Sequence, residues 1–164
     1  MPEIAIRQAG SRDAGAIFAV HKDSVQALCA AHYGPDHMRL WFEDRAPAIY
    51  DPYIAAGRLW VAEADGRVLG FVGTDPGEIA LLFVGPASAG FGIGARLLAF
   101  GILKAREDFA GPVTVIATLN AEAFYARHGF RKVADDVFER GDPPLHYPVA
   151  RMVLEAFFEP GENT

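Results

Sequence analysis

The sequence predicts one α/β domain built on a mixed sheet. Three observations carry this. Strand-like and helix-like segments alternate along the whole chain, and an Asp65-Gly66 pair sits between two β-rich runs. Over residues 78–106 an apolar strand runs into a glycine-spaced loop and then a helix. At 164 residues the chain can bury one sizeable core and is too short for two ordinary domains. We expect a single domain over residues 1–158 and a frayed tail at 159–164.

Ile4 and Ile6 alternate with Glu3, Ala5 and Arg7, the period of a short strand. Ser11-Arg12-Asp13 then offers N-cap chemistry for a helix carrying Ile17, Val20, Val25 and Leu28. Tyr33-Gly34-Pro35-Asp36 breaks it, a shorter helix is expected over 37–44, and Pro47 and Pro52 make 46–57 irregular or a broken helix. The runs 58–63 and 68–72 flank Asp65-Gly66, a strong hairpin signal, because a type I′ turn needs positive φ at both central residues.

A third strand covers 79–84 and stops at Gly85-Pro86; the glycine loop and a helix to about 108 follow, with Leu97, Leu98, Ile102 and Leu103 expected on one side. Val113-Thr114-Val115-Ile116 reads as a short strand of the kind buried on both faces. Asn120 reads as the cap of a short helix through His128, with Gly129 at the left-handed position beyond its end. Residues 130–139 and 146–154 read as two more strands joined by Gly141-Asp142-Pro143-Pro144. The order is β, α, α, β, β, β, α, β, α, β, β.

A net charge of −6 without a Lys/Arg cluster argues against duplex nucleic acid as partner and is compatible with an amine substrate. Cys29 is the only cysteine, so no internal disulfide can form, and its apolar helical setting reads as a buried thiol. No apolar run is long enough for a membrane span, and no secretory leader opens the chain; the expected compartment is the cytoplasm.

The chemistry concentrates at Gly90-Phe91-Gly92-Ile93-Gly94. Glycines let the backbone approach a bulky anion, and the first free N–H groups of a helix point at it. Gly90-x-Gly92-x-x-Ala95 fits the dinucleotide fingerprint formally, but not in context: five residues separate it from Val84, and no ribose-binding acid lies downstream. No G-K-[ST] follows either. The alternatives are a different phosphate-bearing cofactor and glycines that merely allow tight helix packing.

The block LLFVGPASAGFGIGARLLAF resembles the signature of the Gcn5-related N-acetyltransferases, a strand ending in V-x-P and then Q/R-x-x-G-x-G/A. Asn120 through Phe130, NAEAFYARHGF, resembles the second block of that family in slightly compressed form. The resemblance spans roughly residues 3 to 155 and implies the acyl-CoA N-acyltransferase fold. That is a mixed, mostly antiparallel sheet of six to seven strands, helices on both faces, and central parallel strands that splay apart.

It implies acetyl-CoA as co-substrate, no metal, and a small-molecule or peptide amine as acceptor, and a homodimer is compatible with it. Carried over, the backbone of Leu82, Phe83 and Val84 pairs with the pantetheine arm, and Pro86, which cannot donate to a ladder, ends strand pairing. Ala89, Gly90, Phe91, Gly92, Ile93, Gly94 and Ala95 seat the pyrophosphate, with Asn120 as a further contact. Ala89 stands where the family carries Gln or Arg, a contact made there largely by backbone.

Acetyl transfer needs a base for the amine, whose pKa is about 10, and an acid for a thiolate of about 8.5. Tyr125 matches the family tyrosine and is the expected acid, whereas Phe124 reads as core packing. Glu78 is the expected base, with His32 and His146 as rivals. Tyr33, Trp41 and His146 are the expected acceptor-pocket residues.

Overall fold

Asp65 and Gly66 both take positive φ, 51° and 73°. They close β2 (Leu59–Ala64) onto β3 (Arg67–Asp75), with Ala64 opposite Arg67. A turn left-handed at both central residues matches the twist of the strands it joins. In this computed structural model, which describes residues 3–156, the hairpin is the middle of a larger sheet; the tail expected at 159–164 lies outside those residues.

The other strands are β1 (Ala5–Gln8), β4 (Glu78–Val84), β5 (Val113–Thr118), β6 (Arg131–Arg140) and β7 (Leu145–Leu154). They form a 7-stranded sheet in the order β1-β2-β3-β4-β5-β7-β6. Every neighbouring pair is antiparallel except β4 and β5. The expected mixed, mostly antiparallel sheet is therefore the sheet observed.

Both faces are covered. On one, α4 (Ile93–Arg106) and α5 (Glu122–Arg127) enclose a core that includes Trp60, Val72, Ile79, Leu97, Leu98 and Met152. On the other, α1 (Ala14–Leu28) packs Ile17 against Leu59, Val61 and Phe71. That side continues through α2 (Pro35–Trp41), where Val25, Cys29, Tyr33, Trp41 and Tyr147 meet. Leu59 and Val61 enter one core while Trp60 and Ala62 enter the other. A strand walled on both faces has no position for a polar residue, which is why this run is apolar throughout.

Several expectations need correction. The helix expected at 37–44 begins at Pro35, because proline suits the first helical position, where its missing N–H has no helical partner to lose. The broken stretch resolves into a 3₁₀ turn, Pro47–Tyr50, and α3 (Asp51–Ala55). Strand β5 is buried on one face only: Val113, Val115 and Ala117 point into the core while Ile116 stays 47% exposed. Its partner on one side, β7, runs antiparallel, so the two-sided burial of a parallel strand does not apply. On α4 the buried residues are Ile93, Leu97, Leu98, Gly101 and Ala105; Leu103, six positions after Leu97, turns to the far side and is 68% exposed.

Asn120 caps no helix. It lies inside the 3₁₀ turn Leu119–Ala121, and α5 starts without a side-chain cap. The other end of α5 is as expected: Gly129 takes φ 92°, Phe130 N–H donates to Tyr125 O, and Gly129 N–H donates to Ala126 O. These two bonds form a Schellman motif.

Candidate active site

Strands β4 and β5 are paired only at Glu78–Thr114 and Ile79–Val115. Beyond Ile79 they part, although β4 stays paired to β3 as far as Val84 opposite Gly70. The expected splay is present, but Pro86 does not cause it, since pairing lapses well before that residue. Two features pull the strands apart. Ala80 is an extra residue between Ile79, opposite Thr74, and Leu81, opposite Gly73; this bulge bends β4. Strand β5 meanwhile follows β7 along its whole length, through Thr118 opposite Val149.

The opening is a cleft of about 500 Å³. Leu82, Phe83 and Val84 form one wall, and Thr118, Asn120, Ala121 and Phe124 form the opposite one. Ser24 and Leu28 of α1, and Cys29 just beyond it, also line it. The expected strand edge and the expected Asn120 thus face one another across a single space.

At the near end the glycine loop turns into the first residues of α4. Gly90 and Gly92 take φ 86° and 76°, a left-handed conformation that L side chains rarely adopt, and Gly92 is the N-cap of α4. A Cβ on either would meet nothing within 4 Å, so conformation and open space account for both glycines. Gly94 differs: a Cβ there would lie 3.6 Å from Phe124 and 3.7 Å from Val84, across the throat of the cleft.

The backbone N–H groups from Gly90 to Ala95 have no hydrogen-bond partner among the described residues, and Arg96 N–H makes the first helical bond, to Gly92 O at 3.1 Å. Free N–H groups at the positive end of a helix dipole attract an anion. Not all seven expected residues contribute equally. Ala89 lines the cleft, but its N–H is turned back to Pro86 O at 3.3 Å. The Phe91 side chain is 56% exposed and borders a separate groove with Ile4 and Leu69, and Ile93 is buried in the core.

The cleft also holds a residue that sequence distance concealed. Cys29 donates from Sγ to Asn120 Oδ1 at 3.2 Å, so the thiol lies against the second motif block. Burial pushes it up to about 11, and it stays protonated near neutral pH. A neutral thiol hydrogen-bonded to an amide is a poor nucleophile.

The two aromatics of the second block exchange places relative to expectation. Phe124 lines the cleft. Tyr125 is 5% exposed and packs between Phe124 and Phe130, with ring centroids at 5.2 and 5.5 Å. Its hydroxyl makes no hydrogen bond among the described residues, and burial raises its pKa, so it is protonated.

Glu78 opens on a different groove, beside Thr114, Ile116 and Arg151, about 13 Å down β4 from Leu82. Burial and the nearby Asp75 raise its pKa, and Arg151 opposes them. Of the expected acceptor-pocket residues, Tyr33 and Trp41 are core rather than lining. Tyr33 donates to Pro148 O at 2.6 Å and accepts from Leu119 N–H at 3.1 Å, and Trp41 packs edge-on against Tyr147 at 5.4 Å. The His146 side chain is 63% exposed, with Nδ1 3.3 Å from Glu139 Oε1. His32 is exposed as well.

Two further residues carried no motif signal. His21 is 3% exposed; its Nδ1 lies 2.8 Å from the Tyr50 hydroxyl, and its ring lies 4.1 Å from that of Phe83. Burial and then the charge of Arg45 lower it to about 3, leaving it neutral. Its place among the apolar positions of α1 gives a core residue and a site residue the same pattern. Arg45 sits half-buried between the helix expected at 37–44 and the irregular stretch expected at 46–57. No described helix is long and apolar enough to cross a membrane.

Comparison with known proteins adds the following. The family model described as an acetyltransferase (GNAT) domain matches residues 29–148. An uncharacterized N-acetyltransferase of Escherichia coli, YafP, is 26% identical over 133 residues, spanning 81% of this chain and 85% of that one. A GCN5-related N-acetyltransferase structure from Rhodopseudomonas palustris superposes with a TM-score of 0.80 at 23% identity, covering 94% of this chain and 96% of the other. The PaiA N-acetyltransferase of Thermoplasma acidophilum, solved in complex with coenzyme A, gives 0.75 at 18% identity, over 93% and 99% of the two chains. At these identities the structures show a shared fold.

Proposed function

Because this chain belongs to the GNAT acetyltransferase family, we propose that it moves an acetyl group from acetyl-coenzyme A to a primary amine by direct attack in a ternary complex. The acceptor is a small molecule or a peptide amine. The observation that carries this reading is the continuity of one cleft. It runs from the free N–H groups of Gly90 to Ala95 to the β4 edge that β5 leaves unpaired.

The residues fit the coenzyme. The N–H groups at the start of α4 hold a pyrophosphate, the edge of Leu82–Val84 accepts an extended amide chain as an added strand, and Asn120 presents an amide across the gap. When bound, the coenzyme supplies an acyl group activated as a thioester. The amine nitrogen bonds to the carbonyl carbon, the carbon–sulfur bond breaks, and the sulfur finally takes up a proton.

Glu78, in a neighbouring groove about 13 Å along β4 from Leu82, takes the proton that the ammonium must lose through a chain of waters rather than by direct contact, and its raised pKa brings it nearer the working pH of a base. Tyr125, buried beside Phe124 and outside the cleft lining, donates a hydrogen bond to the departing sulfur in a complex in which Phe124 or α5 shifts to bring its unpartnered hydroxyl to the cleft. A phenol with a raised pKa stabilises a thiolate of about 8.5 without fully surrendering its proton, so solvent completes the protonation.

Two substitutions separate these roles. Tyr125→Phe should lower kcat by about a hundredfold with coenzyme affinity unchanged in calorimetry; an unaffected rate removes the acid role. Glu78→Gln should lower the rate most near neutral pH and recover as pH approaches about 10, where the amine loses its proton unaided. A deficit independent of pH would count against a base. Trapping an acetyl group on Cys29 would overturn direct attack.

A second reading is a non-catalytic acyl-coenzyme A-binding module. The burial of Tyr125 away from the cleft lining and the absence of a side-chain donor at Ala89 favour it. Calorimetry with acetyl-coenzyme A, paired with a thiol-release assay on amines, polyamines, amino acids and antibiotics, decides between the two. Binding with turnover supports transfer, binding without turnover on the whole panel supports the module, and no binding removes both.

A further inference from the structure

The cleft differs in charge from the grooves around it. The groove beside β6 carries Glu122 with Arg131 and Lys132, the one beside Phe91 carries Asp65 with Arg67, and the one at Glu78 carries Arg151. Each sets a carboxylate near its cations. The cleft is lined by no carboxylate, and its one charged side chain is Arg127. In a chain with 21 acidic residues against 15 lysines and arginines, that sign is not the default.

Arg127 stands exposed in the last turn of α5, and its guanidinium makes no hydrogen bond and no ion pair among the described residues. His128 follows it and also lines the cleft, with neither ring nitrogen hydrogen-bonded among those residues. The His128 ring lies 4.8 Å from that of Phe124, centroid to centroid. Phe124 in turn approaches the start of α4: a Cβ on Gly94 would meet its ring at 3.6 Å. One aromatic ring thus separates His128 from the helix end whose free N–H groups face the cleft. A cation in the last turn of a helix also suits its dipole, but that role needs no place in a cleft and leaves the missing carboxylates unexplained.

A pyrophosphate on the N–H groups of Gly90 to Ala95 uses backbone donors alone and leaves Arg127 and His128 without a partner. Coenzyme A carries a further phosphate, a monoester on its ribose, with close to two negative charges near neutral pH. We propose that Arg127, with His128 beside it, binds this ribose phosphate and so selects coenzyme A over the same molecule lacking it. The nucleotide end then lies along α5 rather than in the groove beside Phe91, where Asp65 would repel a phosphate. The planar guanidinium fork matches phosphate oxygens with two parallel hydrogen bonds, and His128 adds a ring N–H. This rests on the acetyl-coenzyme A reading above and sets which way the coenzyme lies.

Calorimetry on the whole chain compares coenzyme A with dephospho-coenzyme A. The wild type should bind coenzyme A more tightly by at least about fivefold, a modest ratio because Arg127 is exposed, and the ratio should shrink at high salt. Arg127→Met should bring it near one by weakening coenzyme A alone, with dephospho-coenzyme A affinity and Tm unchanged. Arg127→Lys, which keeps the charge without the fork, and His128→Ala should each retain part of it, and Arg67→Met should leave it as in the wild type. A wild-type ratio near one, a ratio unchanged in Arg127→Met, or a ratio lost in Arg67→Met instead would overturn the proposal.

The acetylated forms of both molecules, run in the thiol-release assay, separate this site from the reaction. If Arg127 governs the binding ratio but no amine is acetylated, the phosphate site stands and transfer falls. If both donors are used with equal affinity and equal kcat/KM, the site falls and transfer stands.

Discussion

Replacing Gly92 by aspartate should reduce coenzyme A affinity by a hundredfold or more while leaving the protein folded. Gly92 is the N-cap of α4 at φ 76°, and a Cβ there meets nothing within 4 Å, so the side chain has room. Aspartate is among the few residues that visit this left-handed conformation, which limits the backbone cost to about 1 kcal/mol. Its carboxylate would sit among the N–H groups of residues 90 to 95 and take the place of the incoming anion. The loss of two charge-assisted hydrogen bonds, at about 1.5–3 kcal/mol each, plus repulsion between like charges, exceeds the roughly 2.7 kcal/mol that a hundredfold represents. Calorimetry measures the affinity, and circular dichroism with a thermal melt checks the fold. Unchanged affinity would mean that the pyrophosphate does not lie on this loop.

Gly101→Val should be the most damaging single change to stability at the cofactor helix. Gly101 sits in the buried face of α4, where a Cβ would come 2.8 Å from Val72 Cγ2 and 3.1 Å from Ile79 Cδ1. Both are short β-branched side chains held in the packed sheet, and neither can swing aside. Overpacking of this kind costs about 1–3 kcal/mol, occasionally more, and valine adds two methyl groups beyond the clashing carbon. Replacing glycine inside a helix returns less than about 1 kcal/mol, too little to offset it. For a chain of this size a net loss near 3 kcal/mol lowers Tm by about 6–12 °C. Because α4 would shift on the sheet, coenzyme affinity should fall as well. A Tm within a degree of wild type would show that the helix is not seated through Gly101.

The geometry of the glycine loop was legible because its signals are local. Gly90 and Gly92 are required by backbone conformation, the N–H groups that follow belong to the same helix, and Asn120 lies in a recognisable second block. A turn such as Asp65-Gly66 is likewise decided by its own two residues. The acceptor half was not legible. Tyr33 and Trp41 are aromatics that could as well pack as bind, and they pack. Tyr125 and Phe124 are adjacent in sequence, and which of them faces the cleft depends on how α5 is rolled against the sheet. Leu103 carried the chemistry of a core residue at a helix position that turns outward.

By itself, then, the sequence determined the order of the strands and main helices, the strand–glycine loop–helix with its left-handed glycines, and the family to which the chain belongs. Tertiary structure alone decided where the strands part, since the bulge at Ala80 and the allegiance of β5 to β7 are properties of pairing. It also carried Cys29 to Asn120 across 91 residues of sequence. The physical reason is one of range. A turn, a cap or a glycine conformation is set by interactions within a few residues, and composition records them. Which side chains converge depends on contacts between distant segments, and these exist only once the core has closed.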